Sequence, residues 1–178
     1  MALARWAALR GDDAAARLAE AALEWDDQAW VPEERGWRDG RLEGGPVEHA
    51  TSWTWCNGRA GMLLARAAVA VALGRRFADG LVLPALQAPV DDAVRSQMPG
   101  LCCGPAGILD AALEVEARSE GGALREVIDC AASHLLDGMP ESLLDPLNGT
   151  LFAGAAGAAF ALLRSVPSLR VPSLLWFE

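Results

Sequence analysis

The chain has 178 residues, 52% of them hydrophobic, with 24 acidic against 15 basic side chains and a formal net charge of −9. That length and apolar share suffice to bury one core, so a single domain over 1–178 is expected. The acidic balance argues against nucleic acid or an anionic membrane surface as partner, since both want a basic face, and is easier to reconcile with a neutral or cationic peptide. Arg5 and Arg10 interrupt the amino terminus before a signal-type apolar core develops. The longest apolar run, Thr150 to Leu163, is rich in Gly and Ala and falls short of the roughly 20 residues a membrane span needs. A cytoplasmic location without a membrane segment is therefore expected.

In chain order, Met1 to Arg5 reads as the middle of an apolar helix and resembles Met62-Leu-Leu-Ala-Arg66. Asp12 to Asp27 is amphipathic with an acid at its start, as a helix N-terminus prefers. Val31 to Thr51, carrying Pro32, Pro46 and several glycines, reads as a long loop of the kind that is usually functional or disordered. Helical runs follow over Gly61 to Gly74, Gly107 to about Glu116 and Gly157 to Arg164, with amphipathic candidates at Gly122 to Leu136 and, more weakly, Arg76 to Ala88, where Pro84 and Pro89 are breakers. Arg75, Arg76 and Arg164 lie near helix ends, where positive charge suits the dipole. No strand pattern competes.

One short motif recurs before the three Gly-led runs. It stands as Trp55-Cys-Asn-Gly-Arg-Ala-Gly-Met62, Leu101-Cys-Cys-Gly-Pro-Ala-Gly-Ile108 and Phe152-Ala-Gly-Ala-Ala-Gly-Ala158, with Gly58, Gly104 and Gly154 in register at steps of 46 and 50 residues. Periods near 50 point to a repeat of helix pairs, with small residues letting inner helices crowd together. Cys56 aligns with Cys102, Cys103 is adjacent, and the third copy has no sulfur. Four cysteines with a neighbouring pair make a poor disulfide framework, so metal binding or catalysis is the natural use of the three at the motif tips. Any metal would lie between the first two copies.

Together these residues resemble the carboxy-terminal part of the lanthionine synthetase cyclase family, most closely the LanC-like cyclase domain of class II (LanM-type) lanthipeptide synthetases. The resemblance runs nearly end to end: Ala22-Leu-Glu-Trp-Asp-Asp27, Gly36-Trp-Arg-Asp-Gly-Arg41, Ser52-Trp-Thr-Trp-Cys-Asn-Gly58, Leu101-Cys-Cys-Gly104, Leu151 to Gly157 and Arg170-Val-Pro-Ser-Leu-Leu175 occur in the family's order. It implies an all-α fold, here a partial α/α toroid of inner and outer helices incomplete at the amino terminus, with the dehydratase domain and the first cyclase repeats absent. It implies a Zn²⁺ ion held by Cys56, Cys102 and Cys103; the third ligand is usually His, and Cys there marks a subgroup. The implied reaction is thioether ring formation in a dehydrated precursor peptide (leader plus core), by addition of a substrate Cys thiolate to dehydroalanine or dehydrobutyrine. The alternative is a non-catalytic zinc- or peptide-binding remnant of the same fold.

The family's usual acid/base His belongs to a His-Gly-x-x-Gly motif that would precede Met1. The expectation is thus a fragment or split subunit, inefficient alone and partnered by an upstream polypeptide carrying further repeats. His49, seven residues before Cys56, is the remaining candidate for proton transfer. Trp53 and Trp55 could line a peptide cleft or pack; Asp39 and Arg41 read as a structural pair; Cys130 and His134 belong to an amphipathic helix; Asp110 reads as a capping or supporting group rather than a catalyst.

Overall fold

The structure, a computed structural model, describes residues 1–38, 52–77, 80–90, 94, 98–119, 122–142 (backbone only from 138) and 149–176. The described residues are mostly helical: α1 (Ala2–Arg10), α2 (Asp13–Asp27), α3 (Arg59–Leu73), α4 (Val82–Leu86), α5 (Pro105–Glu116), α6 (Arg125–Ser142) and α7 (Ala155–Ser165), with two short strands, β1 (Trp30–Val31) and β2 (Gly36–Trp37).

Inner helices pack in series, α1 on α3, α3 on α5 and α5 on α7, while α2 backs α1 and α3, and α6 backs α5 and α7. The all-α, two-layer expectation holds. Small residues make the close inner packing possible: Ala60, Ala67, Ala68, Ala106, Ala111, Ala112, Ala158 and Ala161 are buried among Leu63, Leu64, Ile108 and Leu109. Each such Leu or Ile contributes on the order of 2 kcal/mol by leaving water. The outer helix α2 begins where the acid suggests: Asp12 Oδ1 accepts the backbone N–H of Ala14 and of Ala15, both at 3.0 Å, which satisfies two donors of the first turn.

Three details differ from the sequence reading. Residues 31–38 are not a plain loop: β1 and β2 pair antiparallel, Trp30 opposite Trp37, with the two rings edge to face at 4.9 Å. Arg59 fastens this hairpin to α3, donating to the carbonyls of Glu34 (2.6 Å) and Arg35 (3.2 Å), and Arg66 stacks over Trp37 while pairing with Asp27 of α2. Secondly, Pro84 lies inside α4, in its first turn, where the missing N–H would have had no helical partner anyway. Thirdly, Arg164, which stands in the last turn of α7 as its position suggests, has side-chain partners that the local sequence does not reveal.

Arg164 also joins the centre of a buried charge network. It pairs with Asp110 and Glu114 of α5 and donates to the Val171 carbonyl at 3.1 Å. Asp110, with 0% exposure, also accepts the Ser173 hydroxyl at 2.7 Å and the Leu175 N–H at 3.3 Å. Burial pushes its carboxyl up, against the opposite pull of the Ser173 hydroxyl and the Arg164 guanidinium. The chain's last described segment is thereby strapped across α5, and Trp176 ends beneath the guanidinium of Arg118, 3.8 Å from its ring centroid, with Arg5 of α1 on the same ring.

The two ends of the inner row are bare. In register with the motif, Ala60, Leu63 and Ala67 of α3 are buried, as are Ala106 and Leu109 of α5, whereas the equivalent Ala156, Ala159 and Leu163 of α7 are exposed. On α1, Leu3, Trp6 and Leu9 face outward in the same way.

Candidate metal centre

Each Gly-x-Ala-Gly copy folds alike. Gly58, Gly104 and Gly154 are the N-caps of α3, α5 and α7, all in extended conformation. A side chain at Gly61, Gly107 or Gly157 would overlap the carbonyl six residues earlier, that of Trp55, Leu101 or Leu151. Glycine there lets the tip of each loop fold back over the first turn of its own helix, which sets the tip residues at the helix N-terminus.

The three tips are stacked by main-chain hydrogen bonds. Cys56 N–H donates to the Cys102 carbonyl at 3.3 Å, and Cys102 N–H to the Phe152 carbonyl at 2.9 Å. Loop two therefore lies between loops one and three. This stacking brings the side chains of Cys56, Cys102 and Cys103 to one point: the Sγ atoms all lie within 4.8 Å of one another, with Cys103 Sγ 3.2 Å from both Cys56 Sγ and Cys102 Sγ. None of the four cysteines is joined in a disulfide.

The donor set suits a soft dication. Three thiolates on Zn²⁺ with bonds of about 2.3 Å sit roughly 3.8 Å apart in a tetrahedron, and a catalytic site keeps its fourth position open. The observed triangle needs adjustment by only a fraction of an ångström at its short edges. Without a cation, burial, then the hydrogen bonds that its thiol makes to Cys102 and Cys56, push the Cys103 thiol up to about 12; positive charge between the sulfurs reverses that balance. Cys56 is exposed while its two neighbours are half-buried, which leaves one approach to the cluster. Beside it a cleft of about 290 Å³ is lined by Trp55, Cys56, Asn57, Gly58, Gly61 and Met62.

Over residues 1–176 the chain matches the family described as lanthionine synthetase C-like protein. It belongs to that family. No curated protein and no solved structure matches it.

In this LanC-like chain the other sequence candidates disperse. Trp53 is wholly buried and donates its indole N–H to the Pro89 carbonyl at 2.8 Å; it packs, while Trp55 lines the cleft. Cys130, half-buried in α6, leans on the core and is outside the sulfur cluster. His134 is half-buried on the same helix, and Asp110 belongs to the charge network above. His49, Asp39 and Arg41 lie outside the described residues. No helix among the described residues is long and apolar enough to cross a membrane.

Two residues at the LanC-like site escaped the sequence reading. Asn57 Oδ1 accepts from Cys56 Sγ at 2.7 Å, and Phe152 stands near Trp55 with ring centroids 6.3 Å apart. Phe152 occupies the same place in its repeat as Cys56 and Cys102, so the glycine alignment that found the thiols pointed to it as well.

Proposed function

We propose that the chain is the zinc-bearing part of a class II (LanM-type) lanthipeptide cyclase of the Cys-Cys-Gly subgroup, and that it closes thioether rings in a dehydrated precursor peptide. The observation that carries this reading is the convergence of three thiols from two successive repeats onto one point, where the third repeat contributes none. Cys56, Cys102 and Cys103 would hold the ion. Zinc, when bound, supplies Lewis acidity that makes a substrate thiol available as thiolate at neutral pH.

The chain's own residues do the rest. The exposure of Cys56 leaves a path for the peptide, and the cleft between Trp55 and Met62 is of a size to receive a side chain beside the sulfurs. The Cys56 thiol donates to Asn57 Oδ1 in the metal-free chain; as a zinc ligand Cys56 would be a thiolate and would give up that bond. Ring closure forms a C–S bond at the β-carbon of dehydroalanine or dehydrobutyrine, and the α-carbon then takes a proton, so an acid is required. His49 is the candidate within residues 1–178; a His carried by further helix pairs of the family fold, on a partner or on the same polypeptide, is the alternative.

The bare apolar faces of α1 and α7 support such a partner, a polypeptide carrying further helix pairs of the same kind. A second reading, a remnant that holds zinc or peptide without turnover, is favoured by one feature: among the described residues the cluster of possible ligands contains no His, Asp or Glu. Metal analysis combined with a cyclisation assay separates the two. One Zn²⁺ per chain is expected, with low ring formation from a dehydrated Cys-containing peptide, read by thiol alkylation, and a gain when the partner repeats are added. A metal-free chain after zinc supplementation would remove the site, and no gain with the repeats would leave the remnant.

A further inference from the structure

We propose that the rings of Phe152 and Trp55 form an apolar subsite, which takes the aliphatic or aromatic side chain immediately flanking the reacting cysteine of the peptide. This rests on the cyclase reading for the identity of the reacting residue, though not for the existence of the subsite.

The third repeat supplies the geometry. Its tip is built on the same backbone as the other two, since Gly154 caps α7 as Gly58 and Gly104 cap α3 and α5, and Gly157 makes the same close approach to the loop. Where those tips present sulfur, this one presents a phenyl ring. The loop's packing is done by its neighbour: Leu151 leans on the core, as Leu101 does in the second copy, whereas Phe152 remains 48% exposed. A large apolar side chain that the core does not use, held at a position whose counterparts carry the chemistry, is free to serve a ligand.

Stacking of the loops decides where the ring goes. Cys102 donates to the Phe152 carbonyl from one side and receives the Cys56 N–H from the other, so the tip of loop two separates loops one and three. Yet the Trp55 and Phe152 rings, from loops one and three, stand 6.3 Å apart at an interplanar angle of 35°. Side chains from the first and third loops thus come within ring-contact distance of each other. Trp55 also lines the cleft that contains Cys56, and one tryptophan therefore borders both the sulfur approach and the aromatic pair. Successive Cα atoms in a peptide are about 3.8 Å apart, so a cysteine at the sulfurs brings its neighbour's side chain within reach of the rings. The phenyl ring and the faces of the indole offer dispersion and an apolar surface, and the one polar group of the pair is the Trp55 indole N–H, a single donor at the ring edge, which favours Ile, Leu, Val or Phe over Ser, Asn or Asp.

Titration calorimetry on the zinc-supplemented chain tests this with four synthetic probes: the peptides Gly-Ile-Cys-Ile-Gly and Gly-Ser-Cys-Ser-Gly, capped at both ends, each with a free thiol or with the sulfur methylated. The Ile-flanked peptide should bind roughly tenfold more tightly than the Ser-flanked one, as expected when about 50 to 60 Å² of apolar surface leaves water. Phe152→Ala should reduce that ratio below about threefold, and Phe152→Leu, which keeps an apolar surface, should retain most of it. Equal affinities in the unaltered chain, or an unchanged ratio in Phe152→Ala, would overturn the subsite. The methylated pair keeps the two readings apart. A preference for Ile that persists without the thiol supports the subsite by itself, whereas an affinity indifferent to methylation counts against the metal reading and leaves the subsite standing.

Discussion

The first two Gly-x-Ala-Gly copies and the third share a backbone and differ at the tip. All three begin a helix at the first glycine and fold the loop back at the second, and main-chain hydrogen bonds stack the first tip on the second and the second on the third. Cys56, Cys102 and Cys103 stand at the first two tips, where the third carries Phe152 and Ala153. The repeat thus supplies a rigid mount, and the residues on the mount decide what each position does. A thiol cluster needs two adjacent mounts because one tip cannot place three sulfurs around a single point.

Replacing the sulfurs is the strongest way to break that contrast. Cys102→Ala is expected to take zinc from one ion per chain to none, measured by metal analysis of the purified protein, because two thiols rarely hold Zn²⁺ without a third protein ligand. Cys130→Ala, altering a thiol away from the cluster, should leave the ion in place.

Next in size is the network that carries no metal. Asp110→Ala removes a partner of the nearly buried Arg164 and the acceptor of Ser173 and Leu175. Breaking a buried pair on one side costs about 3 to 5 kcal/mol, so urea unfolding should show a loss of that order. Retained stability would show that Glu114 alone satisfies Arg164.

The mount itself can be strained. Gly107→Ala and Gly157→Ala each push a methyl into the carbonyl of Leu101 or Leu151, at about 1 to 3 kcal/mol. Both should lower stability, but Gly107→Ala should weaken zinc binding more, since its loop carries two of the three thiols. Equal effects on zinc would mean that the tips move as one body.

The smallest effect on the fold is a pH dependence. In the metal-free chain Cys103 is pushed up to about 12 by burial and by its two sulfur neighbours, against about 8.5 for an ordinary thiol. The folded state then keeps a proton that the unfolded chain gives up, so stability of the metal-free form declines as pH climbs above about 8.5. Alkylation of Cys103 at pH 8, followed by mass spectrometry, should be at least about a hundredfold slower than that of an exposed model thiol, because the thiolate is the reactive form. A rate equal to that of the free thiol would remove the crowding argument.

Much of this was legible in the residues. Glycine and alanine spacing placed the starts of α3, α5 and α7 to within two residues, and Asp12 marked α2. Motif register named the three thiols. The hairpin at Trp30 to Trp37 was missed because two-residue strands leave no alternation to read. Arg164 was rightly placed at a helix end, but its ion pairs were not visible because the partners, Asp110 and Glu114, lie 50 or more residues away. Trp53 and Trp55 looked alike in sequence, and only the direction of each side chain separates the packed ring from the one at the cleft.

Composition and spacing by themselves determined the helical class, the repeat period and the identity of the sulfur-bearing tips, because glycine at a close approach and cysteine at a tip are local requirements that any copy of the motif must meet. Tertiary structure decided that the tips stack so that their sulfurs converge, that the Phe152 ring meets that of Trp55, and that the last segment is strapped down by Asp110. Those outcomes depend on how distant helices pack, and packing is settled by the summed contacts of the whole core rather than by any short stretch of chain.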